Sequence, residues 1–188
     1  YNPNAVEVWQ EALRIPAVKV VERGKLRRDV WNLIFANVRF EIVEHDMKAE
    51  MGACTVGERR MVELLRKYGV ASYRAHKQAL FDATRRMMQA EIAKIPNGRY
   101  SGEGHVYYDG RHEGSKFTIR VDIEVQDKRI KFDYSRTDPQ TNGFVNGTFT
   151  SSASATILTL LQLVNPDIPH NEGMVQPIEI VIPEGTIL

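Results

Sequence analysis

The chain has 188 residues, 43% of them hydrophobic and 26% charged, a balance that supports one domain or two small ones and excludes wholesale disorder. Its net charge of +1 gives no global electrostatic basis for binding nucleic acid or an anionic membrane. The single cysteine, Cys54, excludes an intrachain disulfide and points to a reducing, cytoplasmic compartment.

Residues 1–16 show no clear period. Ala17–Glu22 alternates weakly and predicts a short strand closed by the turn pair Arg23-Gly24. Leu26, Val30, Leu33, Ile34 and Val38 recur at helical spacing and predict a helix over Leu26–Val38. A second helical stretch runs from Ile42 to Tyr68, where Gly69 ends it. Gly52 and Gly57 inside it each weaken a helix by ~1 kcal/mol relative to Ala. Ser72 is placed to cap a third helix whose buried stripe is Leu80, Phe81, Thr84, Met88, Ile92 and Ile95, and Pro96-Asn97-Gly98 stops it.

The period then changes. Phe117, Ile119, Val121, Ile123 and Val125 alternate with Thr118, Arg120, Asp122 and Glu124, the pattern of a strand with one buried face. Asp127-Lys128 is the turn, Ile130, Phe132 and Tyr134 continue on a returning strand, and Arg99–Tyr108 predicts a further antiparallel neighbour. Ala153–Val164 is apolar on nearly every side, which predicts a helix buried on most of its surface and too short to cross a bilayer. Ile178, Ile180 and Ile182 mark a last strand.

The fold class is α+β. Residues 1–95, with a basic excess, form a mainly helical segment packed on residues 96–188, an acidic and mostly antiparallel sheet with one buried helix. No charged-then-apolar leader opens the chain, and Tyr1 and Leu188 both read as cuts, so an internal fragment of a larger subunit is expected.

Two segments could carry chemistry. Asp133–Thr148 puts hydroxyls, carboxylates, amides and glycines between a strand and a helix, where oriented N–H donors can hold an anion or a carbonyl. Asp-Pro and Asn-Gly are also everyday turn formers, so on composition alone a solvated loop explains the same residues. Asn165–Gly173 is stiffened by prolines and reads as a rigid connector. His105, Asp109 and His112 form a conceivable metal pair around the Tyr108-Asp109-Gly110 turn, without a recognised ligand spacing. Cys54, among Met51, Ala53 and Val56, reads as a small core hydrophobe rather than a nucleophile. There is no Gly-Lys-Ser/Thr phosphate loop and no Gly-x-Gly-x-x-Gly, so nothing supports ATP or NAD binding by this chain alone.

An ordered set of phrases carries a resemblance. They are Trp9–Lys19, Gly57–Arg60, Ile95–Tyr100, Ser135–Gln140 with Gly143 and Asn146, Pro166–Gly173 and Pro177–Gly185. In this order and spacing the chain resembles the hydantoinase B/oxoprolinase family. The resemblance implies a B-type catalytic subunit in a hetero-oligomer with a hydantoinase A-type ATP-binding subunit. That partner, using ATP and Mg, would activate a carbonyl or enol oxygen by phosphorylation. The B-type part would then hydrolyse a hydantoin, lactam or oxoproline ring, or in the ketone carboxylases carboxylate an acetone- or acetophenone-type substrate. A structural or assembly portion without catalytic residues is the rival reading, and neither nucleic acid nor membrane is an expected partner.

The same resemblance implies a divalent metal ion of Zn or Mn type in the complete subunit. Its main motif would lie upstream of Tyr1, with Glu11 as one further ligand in this chain. Asp138, Gln140 and Asn146 are the expected catalytic residues, with Asp138 in acid/base or ligand-orienting work. Thr137, Arg136 and Asn171 are the expected substrate-binding residues. Two positions depart from the family pattern. Arg136 stands where Gly is usual, adding a cation for an anionic substrate, and Gln176 stands where Arg is common, removing one.

Overall fold

A computed structural model describes residues 5–10 and 12–188. The chain divides into two compact units, Glu7–Tyr73 and Arg74–Leu188, the latter joined by Ala5 and Val6.

The first unit opens with a 3-10 turn, Val8–Gln10, followed by a small antiparallel hairpin of β1 (Val21–Glu22) and β2 (Lys25–Leu26). The strand expected over Ala17–Glu22 is therefore only its last two residues. The turn is the expected Arg23-Gly24, both at positive φ (51° and 74°). Helix α1 (Arg28–Phe35) buries Trp31 and Ile34, and the Trp31 ring tilts onto Phe35 at 4.6 Å. Trp31 Nε1 donates to Glu44 Oε1 of α2 (Glu41–Tyr68) at 3.0 Å, which ties the two helices together. Gly52 and Gly57 do not break α2, since nothing crowds them and the flanking residues carry the helix through. None of the described side chains of α2 is buried, and Cys54 is exposed rather than part of a core as its apolar neighbours suggested. An apolar stripe specifies a face without specifying its cover.

Gly69, at φ 80°, ends α2, and α3 (Val70–Ile92) starts at the next residue. The expected cap, Ser72, therefore lies inside α3. A backbone conformation that only glycine adopts easily makes the break.

In the second unit α3 buries Thr84, Met88 and Ile92, one residue per helical turn. Met88 and Ile92 pack on a four-stranded sheet in the order β3-β4-β5-β6, formed by Gly98–Val106, Phe117–Gln126, Arg129–Asp133 and Ile178–Val181. The first two pairings are antiparallel, with Gly102 opposite Val121 and Val125 opposite Ile130. The last pairing, β5 with β6, is parallel, so the sheet is mixed. A parallel neighbour requires a crossover. Here that crossover carries α4 (Phe149–Leu161) and the short α5 (Glu172–Val175).

The alternation of β4 divides the sheet into two faces. Val121, Ile123, Val125, Ile130, Phe132, Ile178 and Ile180 pack with Met88, Ile92, Leu160, Val164, Ile168 and Met174 into one core. Their neighbours Glu103, Arg120, Asp122, Lys131 and Glu179 occupy the other face and pair as ions. Helix α4 departs from expectation. Only Thr156 and Leu160 are buried, spaced four apart, while Leu158 and Leu163 beyond its end are 60% and 78% exposed. A single sheet face covers one stripe of a helix, whatever the hydrophobicity of the rest. Beside it a groove of about 460 Å³ opens between Tyr100, Val121, Phe132, Thr159 and Leu163. Among the described residues no helix is long and apolar enough to cross a membrane.

Met88 has no solvent exposure and sits where α3 meets the sheet. Met88→Ala is expected to destabilise the full-length protein by about 2–5 kcal/mol in urea unfolding. Arg99→Ala, which removes a 3.8 Å pair to Glu124 on the open surface, should change it by less than about 1 kcal/mol.

Candidate functional site

The segment from Thr137 to Gly147 is held from three sides by hydrogen bonds, which distinguishes it from a freely solvated loop. On its first side is β4. Asp138 accepts from the Thr118 N–H at 2.7 Å through one oxygen and from Arg120 Nη1 at 2.6 Å through the other. The buried Thr137 hydroxyl accepts from the Arg120 N–H and donates to the Arg120 carbonyl, each at 3.0 Å. Arg120 thus meets the loop through both backbone and guanidinium.

On the second side is the segment that follows β6. Gln140 N–H donates to the Gly185 carbonyl, Ile187 N–H to the Asp138 carbonyl and Gly147 N–H to the Ile187 carbonyl. Pro139 and Thr186 form an antiparallel bridge within this ladder. On the third side is the turn between β3 and β4, where Thr141 Oγ1 donates to Asp109 Oδ2 at 2.6 Å and Phe144 N–H to the Asp109 carbonyl at 2.9 Å. The loop ends at Thr148, which caps α4 in a reciprocal box with Ser151.

The expected site residues differ in how far their polar groups are already committed. Asp138 is bound at both oxygens. The Arg120 guanidinium and then the Thr118 N–H hold its carboxyl below the usual carboxylate range, with a smaller contribution from His105. Asn146 closes the loop on itself: its Oδ1 accepts from Thr141 N–H and its Nδ2 donates to the carbonyls of Thr141 and Gly143. Gln140 is exposed, and its side-chain amide has no hydrogen-bond partner among the described residues. Thr137 is buried and fully engaged with Arg120.

Arg136 forms a bidentate pair with Asp122, and the two shift each other in opposite directions, Arg136 up and Asp122 down. That pairing neutralises the cation the sequence suggested for a substrate. Asn171 serves another junction. It caps α5 by accepting from Gly173 N–H and donates to the buried Thr84 of α3 at 2.9 Å. Gly173 stands so close to the Phe81 carbonyl that a Cβ would lie 2.0 Å from it. Glu11 lies outside the described residues.

The conceivable His105–His112 metal pair does not form. His112 Nδ1 lies 2.7 Å from the Asp109 carboxylate, while His105 sits in β3 opposite Thr118, its Nε2 3.9 Å from Glu103. Its Nδ1 is buried without a hydrogen-bond partner among the described residues. Among the described residues no group of three or more His, Cys, Asp or Glu side chains could hold a metal ion. The donor set for the implied metal is therefore not present in the described part of this segment. Sequence pattern did not reveal Arg120, Thr118 and Thr141 as the residues that shape the loop. The only signal for Arg120 was its place on the polar face of an alternating strand.

These features define a mixed-sheet α+β segment whose most strongly built polar feature, among the described residues, is a loop anchored to the sheet's charged face. All 188 residues match the model described as hydantoinase B/oxoprolinase, and the chain belongs to that family. It is 35% identical over its whole length to the beta subunit of the caprolactamase of Pseudomonas jessenii, of which it spans 32%. It is 32% identical over 98% of its length to the B subunit of a putative D-/L-hydantoinase of Pseudomonas sp. (strain NS671), spanning 33% of that protein. A solved structure, the ATP-dependent caprolactamase from Pseudomonas jessenii, superposes with a TM-score of 0.88 at 36% identity. That match covers 100% of this chain and 32% of the other. The chain thus spans about a third of the length of the relatives it matches.

The depressed pKa of Asp138 fixes the sign of a pH effect. The ion pair contributes its full stability above the unfolded carboxylate pKa of about 4 and loses it as pH falls through the lower folded value. Asp138→Asn should lower the melting temperature at neutral pH and flatten its decline on acidification. Melts of the full-length protein between about pH 3 and 7 check this, and an acid limb as steep as the parent's would contradict it.

Proposed function

We propose that this chain is part of the B-type subunit of an ATP-dependent enzyme that hydrolyses cyclic amides, and that the Thr137–Asn146 loop lines its site. The observation carrying the reading is whole-chain similarity, at 35% and 32% identity, to two proteins whose names denote action on a caprolactam and on hydantoins. Both names also denote one subunit of a larger enzyme, which supports a hetero-oligomer; an A-type, ATP-handling partner and a cytoplasmic location complete the proposal.

A cyclic amide is a poor electrophile. Phosphorylation of its carbonyl oxygen by the partner would make it reactive, and a second site would then admit a directed water. Within that scheme the geometry favours the ligand-orienting role for Asp138 over acid/base work. A carboxylate bound by Arg120 and held below its ordinary range is a weak base near neutral pH. Gln140, with its amide uncommitted, is the member of the expected trio placed to donate to a carbonyl or phosphoryl oxygen. Asn146 and Thr137 shape the backbone around it, and Asn171 contributes by fixing the loop before β6. Arg136, paired to Asp122, sets the charge at the loop's outer edge.

Phosphate release from ATP by the full-length protein with a candidate A-type partner tests the reading. Release that requires both the partner and a lactam or hydantoin is expected. Release coupled instead to a ketone and bicarbonate would replace it with the carboxylase reading. Gln140→Ala should lower turnover at least ~10-fold with the complex intact. Loss of the complex in that variant would favour an assembly role for the loop.

A further inference from the structure

We infer that Asp109, on the turn between β3 and β4, is the positioning residue of the polar loop and sets where Gln140 is presented. The inference rests on the proposed site only for its catalytic consequence, because the clamp itself is geometric.

The Asp109 side chain has no solvent exposure, so each of its oxygens must be satisfied within the fold. Oδ1 accepts from the N–H groups of Arg111 and His112 at 2.9 and 2.8 Å. Oδ2 accepts from Thr141 Oγ1 at 2.6 Å and lies 2.7 Å from His112 Nδ1. The Thr141 bond foremost, then His112 and the backbone N–H groups, hold the carboxyl well below its ordinary range despite burial, so it is a carboxylate at neutral pH.

Thr141 stands 32 positions away in sequence and is also the residue whose backbone is gripped by Asn146. Asp109 therefore holds the side chain of the residue that Asn146 holds by its main chain. Two further observations bind the same elements. The Asp109 carbonyl accepts from Phe144 N–H, and a Cβ on Gly143 would fall 2.1 Å from that carbonyl. The contact is thus closed to any side chain larger than hydrogen at position 143. Gln140 is the neighbour of Thr141 and is pinned on its other side by the Asp138–Ile187 and Gln140–Gly185 backbone bonds. Releasing the Asp109 carboxylate leaves one end of that short span held by Asn146 alone, while the other stays fixed.

The test uses the full-length protein in complex with its ATP-handling partner. Thr141→Val removes the one hydroxyl donor at nearly constant volume. Asp109→Ala removes the carboxylate while keeping the backbone carbonyl that accepts from Phe144 N–H, and Asp109→Asn restores a group able both to accept from the backbone and to donate to Thr141. Hydrogen exchange of residues 141–146 is expected to rise at least ~10-fold in Thr141→Val and Asp109→Ala, with β4 and α4 unchanged, and to recover in Asp109→Asn. For a cyclic amide, kcat should fall in parallel while KM moves less than about twofold. Unchanged exchange in Thr141→Val and in a folded Asp109→Ala would overturn the clamp. Raised exchange with turnover intact would uphold the clamp and overturn instead the reading of this loop as the catalytic site.

Discussion

A carboxylate sealed from water is tolerated only where its oxygens are answered by donors, and each donor removed leaves the buried charge less well compensated. Asp109 meets that condition with two backbone N–H groups of its own turn, the His112 ring and one hydroxyl from a loop far along the chain. Three of those contacts form locally. The fourth, from Thr141, requires the β3–β4 turn and the polar loop to have come together. The local structure of the turn and the long-range shape of the loop are therefore coupled through one side chain.

The sheet supplies the frame for that contact. Strand β4 presents hydrocarbon to α3 and α4 and presents charge on its other face, so one strand both closes the core and anchors the loop. Arg120 illustrates the division. Its neighbours in sequence, Ile119 and Val121, line the apolar side, while its guanidinium spans toward Glu103 and Asp138. The parallel β6 brings Gly185–Ile187 beside the loop, and an antiparallel return directly from β5 would not have reached it. The α4–α5 crossover is thus part of how the site is assembled.

Within the hydantoinase B/oxoprolinase family this chain corresponds to about a third of the relatives' length, and the polar loop is its most heavily braced irregular segment among the described residues. Most of the residues whose types suggested chemistry spend their polar groups on the loop itself. Asn146, Thr137 and Asp138 are committed, whereas Gln140 and the buried Nδ1 of His105 are not. A braced loop that leaves a few groups uncommitted is what preorganisation demands: the bonds hold the frame so that little reorganisation accompanies ligand binding.

Much of this was legible from local pattern. The strict alternation of Phe117–Val125 gives β4 and its two faces, and the Asp127-Lys128 turn gives its antiparallel return. The breaks at Gly69 and Pro96-Asn97-Gly98 bound the helices. Each of these depends only on period and backbone preference, which neighbouring residues determine among themselves. The ordered phrases from Trp9 to Gly185 were likewise sufficient for the family. What only the tertiary structure decided is which faces are covered and which polar groups are already paired. The apolar α4 buries one stripe, Cys54 is exposed, Arg136 is paired with Asp122, and Asp109 accepts from Thr141 far along the chain. Burial and pairing are relations between residues distant in sequence, and a side chain's type states what it can bond but not what it will meet.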